Sequence, residues 1–538
     1  MKTYIKNAWI CDGSGAKIYH GGILFDEQKI LALYRGEPEQ SVDADRTIDA
    51  AGKWVTPGFV DIHRHCDALP FRGTSYGDAM LRQGITTTVV GNCGISLTPA
   101  PADEKEAAGM YRYYEAVLGP VDERLSVRPK TFTDYMKALE QHTLPVHTAA
   151  MIGTGAVRIS VKGFSDTPYT QEELNQARER IEEAMKEGAP GVSLGIMYLP
   201  ECYSLIDEFA YILEPVGRYG RVITTHIRGE GDSLVKSVQE VIEIASKAGC
   251  ALEISHFKSC GMKNWGREIY RAIGLIEEAR SRGMDVTCDF YPYDGGSTAL
   301  TTMLPPDFVA GDLDKALLHL GEEKSVEELR LSLEQEHPGW DNYAISLGWD
   351  RILISGVTCP EYRKMLGLNM EEAARQYGYR DAVALAAEMM HREDGRTAII
   401  NLSMSQDDID EIAKLPYSIL ISDSIYADTD TPHPRLYGAF PKFLREYAAE
   451  KKLLSLEEAV HKMTQMPAQR MALKGKGLLK EGMDADILIF DPTVFRDNAT
   501  YQDPARLASG LDTVFLNGQI ALREDKVLKY DLGQVIRV

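Results

Sequence analysis

The chain has 538 residues, 44% of them hydrophobic, and carries 59 Lys and Arg against 80 Asp and Glu, a net charge of -21. That length suits a barrel with a second lobe, and the apolar content can build a large core. The acidic balance argues against nucleic acid or an anionic membrane as partner, because both call for a basic surface.

The first segment, MKTYIKNAWICDG, alternates like a strand; Lys6 and Asp12 interrupt it, and no apolar run marks a secretion signal. No run anywhere approaches membrane-spanning length. The eight cysteines form no CxxC pair, which suits reduced thiols and a cytoplasmic location. Residues 1–55 read as short strands with Gly turns, as in GILFDEQKILALYRG.

Next comes GFVDIHRHCD, with His63 and His65 two apart. On a strand, residues i and i+2 share a face, so both imidazoles could reach one metal ion. By that parity Phe59 and Asp61 share the histidine face, while Arg64 and Cys66 point away, which makes Cys66 a poor ligand. Asp61 could brace a histidine from behind or be a buried structural acid. Further strands are expected around Cys93, Met151, Leu194, His226, His256, Tyr291 and Ile421. Between them EELNQARERIEEAMKEG, SLVKSVQEVIEIASKAG and REIYRAIGLIEEARSRG have helical apolar spacing and end in Gly. A ninth apolar run, TAIINLS, competes with the strand at YPY for the last place but one, and the pattern does not say which is extra. Residues about 298–350, polar and holding the helix SVEELRLSLEQ, read as an insertion of the kind that often forms a lid. From about residue 475 the chain returns to strands.

Repeated strand-then-helix units imply an α/β fold with a parallel sheet. We expect a TIM-like (β/α)8 barrel over residues 56–470, with a small β-sandwich built from 1–55 and 471–538 and the insertion near the barrel mouth. In such a barrel all strand C-termini open on one face. Cys93 ends TTTVVGNC, His226 ends VITTH, His256 ends LEISH and Asp423 ends SILISD. Taken singly, Cys93 could be a packed thiol, the histidines core residues and Asp423 a helix cap. Their common place at strand ends favours a metal site, and thiolate with imidazole suits Zn²⁺.

The segments VVGNCGIS, GVSLGIMYLP, THIRGEGDSL, ISHFKSCGMKNWGR, YPYDGGST, HPRLYGAFP and KMTQMPAQRMALKGKGLLKEGMDADILIFDP run from one end of the chain to the other. With them the chain resembles the amidohydrolase superfamily, and within it the N-acyl-D-amino-acid deacylases. That resemblance implies a tight zinc site at Cys93, His226 and His256, and a second, weaker one at His63 and His65 with Cys93 between. It implies that Asp423 accepts a proton from the attacking water and returns it to the leaving amine, and that Asp423 also belongs to the metal site. It places Lys258, Tyr291, Ser297 and Arg435 on the α-carboxylate of a small N-acyl amino acid. Tyr198 and Arg158 are weaker candidates, expected to be structural. Oligomeric state is not implied.

Three positions depart from the family pattern: GTGAVR puts Thr154 where His is expected, Ser424 stands for Gly in Ser422-Asp423-Ser424, and HRHCD differs after the histidine pair. Members acting on acidic D-amino acids are expected to carry an extra cation after the clamp serine. Here TALTTMLPPDF follows Ser297 without Arg or Lys, and Leu300, Met303 and Leu304 point to a neutral or hydrophobic pocket. Two rivals share the scaffold. A cyclic-amide hydrolase of the hydantoinase or dihydroorotase kind usually has a bridging carboxylated lysine, which GVSLGIMY lacks. A non-catalytic scaffold would have lost ligands, yet all six metal-type residues are present.

Overall fold

The computed structural model describes residues 1–38, 40–121, 128–337, 340–426, 429 and 431–538. Eight short parallel strands form the barrel: β1 (Phe59–Asp61), β2 (Ile85–Val90), β3 (His147–Ala150, continuing as Ile152–Gly153), β4 (Gly191–Gly195), β5 (Val222–His226), β6 (Ala251–Ile254), β7 (Val286–Phe290) and β8 (Ser418–Leu420). Each pairs with its predecessor from β1 to β7, and β8 pairs with β7. The ring closes just beyond the strands, where Asp423 N donates to His63 O at 3.0 Å and His65 N to Ser424 O at 2.9 Å. Asp61 adds to the seam by accepting from Ser422 N and Ser422 Oγ.

Periodicity explains the outer layer. Gln171–Lys186 starts at a Thr170–Glu173 capping box, Leu234–Ala248 stops at left-handed Gly249, and Glu268–Ser281 follows β6. β2, ITTTVV, is buried on both faces and is β-branched throughout, without polar–apolar alternation.

The ninth run is the one outside the barrel. Ala398–Asn401 lies between Gly296–Ala299 and Ile352–Gly356 in a small antiparallel sheet. The strand before YPY is β7. An excursion therefore leaves the barrel after β7 and returns before β8, with the helix Glu323–Leu333 inside it.

The parity expected around the two histidines does not extend upstream. β1 stops at Asp61, so Phe59 is free to face outward, where its ring meets Phe440, Phe490 and Phe495. Asp61 faces Ser422 and Arg64 at the seam and accepts from the backbone N of His63 at 3.4 Å.

Both ends of the chain build one nine-stranded sheet with its own core, including Ile5, Ile23, Val55, Ile487 and Phe515. Phe25 and Phe515 sit four strands apart in it, roughly 19 Å at ~4.8 Å per strand if flat. Their rings are 5.1 Å apart, so the sheet folds over on itself. At its junction with the barrel, buried Asp486 accepts from Lys476 Nζ at 2.7 Å and Asn517 N at 2.9 Å, with His147 Nε2 at 3.3 Å. The C-terminal tail then pairs with β3, Ile536 N donating to Thr148 O at 2.8 Å.

Candidate active site and metal centre

Five strand ends deliver metal-type side chains to one mouth. His63 and His65 follow β1, Cys93 follows β2, His226 ends β5 and His256 follows β6, all buried. Two groups have ligand atoms that all lie within 4.8 Å of one another: His63, His65 and Cys93, and Cys93, His226 and His256. Cys93 Sγ is shared, 3.2 Å from His63 Nε2 and 3.4 Å from His256 Nε2. Cys66 is buried too but belongs to neither group. Asp423, after β8, places Oδ1 3.4 Å from Nε2 of both His63 and His65.

Cys93, His256 and Asp423 have φ of 55°, 34° and 48°. A non-glycine residue there costs about 1–2 kcal/mol, and such strain collects at functional sites. The turn falls just past the end of each strand, at the cavity these side chains line.

Burial drives the electrostatics. It holds His63 down to about 4 and pushes His65 and His256 below the usual imidazole range, Lys258 adding to the effect on His256. His226 falls well below that range for the same reason. Uncharged imidazoles keep a lone pair for a cation, and His65 Nδ1 finds no hydrogen-bond partner among the described residues. Burial, with Asp423 and Asp289 beside it, raises the Cys93 thiol, so only a cation can make it a thiolate ligand. Burial also opposes the charge on Asp423, but Arg435 and His63 outweigh it and hold the carboxyl well below the usual range. Two imidazoles and a sulfur in one closed group, with two more imidazoles alongside, fit zinc.

The expected clamp residues line the same cavity: Lys258, Tyr291, Ser297 and Arg435 stand beside Cys93, His226, His256 and Asp423. The Arg435 guanidinium stacks 4.5 Å from the Tyr291 ring centre. Its Nη1 is 2.8 Å from Asp423 Oδ2 but badly aligned, and none of its guanidinium nitrogens makes a hydrogen bond to a described residue. A buried guanidinium with donors left over beside its one ion pair suits a second carboxylate.

Other candidates sort differently. Tyr198 lines the cavity, its hydroxyl 3.3 Å from His226 Nδ1. Arg158 lies away from it, donating to Ser204 Oγ and to the carbonyls of Ser165 and Thr167. Thr154 is also outside, bonded to Glu201 Oε1 and Ser193 O behind the Cys93 loop. Ser424 Oγ is absorbed by Ser422. Leu300, Met303 and Leu304 pack in the core; the apolar lining comes instead from Ile95, Val117, Met197 and Ile425.

Two acids escaped the sequence analysis. Asp289 on β7 lies 3.4 Å from His63 Nδ1 and accepts from His256 N; burial raises its carboxyl above the usual range. Its signal was a lone carboxylate inside an apolar strand. Glu230, within THIRGEGD, has Oε1 2.5 Å from Lys258 Nζ and 3.0 Å from His256 Nδ1.

A family model described as Amidohydrolase family matches residues 46–286 and 373–522. A D-aminoacylase of Alcaligenes xylosoxydans xylosoxydans is 30% identical over 92% of this chain and 89% of its own. A solved N-acyl-D-glutamate deacylase from Bordetella bronchiseptica, complexed with zinc and a phosphonate mimic of the tetrahedral intermediate, has 28% identity. Its TM-score is 0.82 over 100% of this chain and 99% of its own. A solved D-aminoacylase, whose binuclear metal centre is described by one-metal activation and second-metal attenuation, has 28% identity. It reaches a TM-score of 0.81 over 100% and 99% of the two chains.

Proposed function

The chain belongs to the amidohydrolase family, and from that premise we propose that it hydrolyses N-acyl-D-amino acids with zinc, giving a carboxylate and a free D-amino acid. The observation that carries this reading is the union, in one buried cavity, of a sulfur–imidazole group with a guanidinium that is ion-paired to Asp423 and makes no hydrogen bond to a described residue. The relatives' deacylase activities and zinc support it.

Cys93, His226 and His256 would hold the tight ion, and His63 and His65 a second, weaker one sharing Cys93. Zinc bound there supplies a Lewis acid for the scissile carbonyl and a nucleophilic water near neutral pH. Asp423 faces the same space and takes the proton from the attacking water, then returns it to the leaving amine nitrogen. Arg435 and Lys258, with Tyr291 and Ser297, hold the α-carboxylate and so fix which carbonyl meets Asp423. Residues 56–470 form the catalytic unit in this reading, flanked by 1–55 and 471–538.

The side-chain pocket is neutral. Lys258 and Arg435 are the cations of the described lining, and Ile95, Val117, Met197 and Ile425 supply apolar wall. An acidic side chain would be desolvated without an ion-pair partner. The substrate is a small molecule, and the acidic balance of the chain argues against nucleic acid or an anionic membrane as partner. No helix among the described residues is long and apolar enough to cross a membrane, and eight free cysteines suit a cytoplasmic location.

The test is a comparison of kcat/KM for N-acetyl-D-leucine, N-acetyl-D-glutamate, N-acetyl-L-leucine and a hydantoin under identical zinc conditions. We expect D-leucine to be released fastest and the L-isomer and hydantoin to be poor. Preference for the glutamate overturns the neutral pocket, and preference for the hydantoin overturns deacylation.

A further inference from the structure

Glu230 stands at the join between the metal-type group and the clamp, yet belongs to neither. It is 5% exposed, in the loop after β5. Its Oε1 lies 2.5 Å from Lys258 Nζ and 3.0 Å from His256 Nδ1, and Lys258 Nζ is itself 2.6 Å from His256 Nδ1. These contacts bear on the tautomer of His256: Lys258 Nζ is within hydrogen-bond reach of Nδ1, and the Glu230 carboxylate competes for both groups. A neutral imidazole carries one N–H. If His256 Nδ1 accepts from Lys258, the ring proton sits on Nε2, which faces Cys93 Sγ at 3.4 Å and then has no lone pair for a cation. If Nδ1–H donates to the carboxylate, Nε2 is free to bind. The Glu230 carboxylate gives both Nδ1–H and the Lys258 ammonium an acceptor, so Lys258 need not donate into the ring.

The acid is itself held by the excursion. Asp341, also 5% exposed, accepts from Glu230 N at 2.6 Å, Gly231 N at 2.7 Å and Ser233 N at 3.1 Å. A Cβ on Gly229 would stand 2.8 Å from Asp341 Oδ2, which is why the loop approaches on glycine. Two residues on, Tyr343 lines the cavity.

We propose that Glu230 is a positioning residue that fixes the metal-binding tautomer of His256 while holding Lys258 at the substrate carboxylate, and that Asp341 ties this coupling to the excursion. The inference rests on the deacylase reading for the role of Lys258 alone. Outer partners of this kind typically change metal affinity by about 10–100-fold.

The experiment strips full-length wild type, Glu230→Gln and Asp341→Asn of metal and measures zinc affinity by chelator competition. It also records thermal midpoints of the metal-free proteins and KM for N-acetyl-D-leucine. Glu230→Gln should bind zinc ~10–100-fold more weakly and raise KM, with the metal-free midpoint unchanged. Asp341→Asn should move both in the same direction by less. Zinc affinity of Glu230→Gln within twofold of wild type overturns the proposal. So does a loss of affinity matched by an equal loss of metal-free stability in both variants. Chelator competition involves no substrate, so a wild type inert toward N-acyl-D-amino acids would sink the deacylase reading and leave this result to stand by itself.

Discussion

Arg435 brings a guanidinium into a site where it meets an aromatic face and one misaligned carboxylate. Leaving such donors unpaired costs about 1–3 kcal/mol, more for a charge, unless substrate supplies the acceptor. Arg435→Met should therefore cut kcat/KM for N-acetyl-D-leucine by at least ~10²-fold, the loss of a charge-assisted bidentate pair. An N-acyl amine without the carboxylate should be a poor substrate for wild type and lose little in the variant. Equal losses on the two substrates would show that Arg435 supports the fold instead. Cys93 and the histidines were legible because their types are scarce and they end apolar runs, whereas Lys258, Tyr291, Ser297 and Arg435 were named through the family resemblance. Glu230 and Asp289 were not legible, because a carboxylate that braces a histidine from behind looks like any buried acid until the two loops are brought together.

At the level of the strand, chemistry sits where each element stops. Cys93, His256 and Asp423 are left-handed, and Gly94 at φ 70° continues the turn after β2. A Cβ on Gly94 would lie 2.3 Å from Glu201 Oε2 and 2.7 Å from Gly195 N, the second a backbone atom that cannot swing aside. Gly94→Ala should cost about 2 kcal/mol or more, combining the left-handed penalty with that overlap, as read by the shift in denaturant midpoint at unchanged slope. A change below about 0.5 kcal/mol would mean that the Cys93 loop is not pinned as described. Strand ends were readable from apolar runs that stop at polar residues, and helices from their period and caps. Which of two late runs enters the barrel was not readable. TAIINLS and the run before YPY are equally apolar, and only pairing with the distant Gly296–Ala299 and Ile352–Gly356 separates them. The face of Phe59 was misjudged because a period of two holds only while the strand lasts, and β1 ends at Asp61.

Across the whole molecule, residues 63, 93, 226, 256 and 423 become neighbours because eight parallel strands open on one mouth. The seam from Asp61 to Ser424 locks the first strand to the last. The folded-over terminal sheet meets this unit through Asp486 against His147, and the tail through its pairing with Thr148. The architecture was legible as an order of segments; the return of the tail to β3 was not, since a short pairing leaves no period of its own. What the barrel assembles is two groups of metal-type side chains with Cys93 common to both, and zinc content tests directly our proposal that Cys93 is a zinc ligand. Wild type and Cys93→Ala, purified and dialysed alike, are compared by metal analysis. Wild type should carry about one tightly held Zn²⁺ per chain, as one three-ligand site implies, and Cys93→Ala almost none. Full zinc in Cys93→Ala would contradict the account.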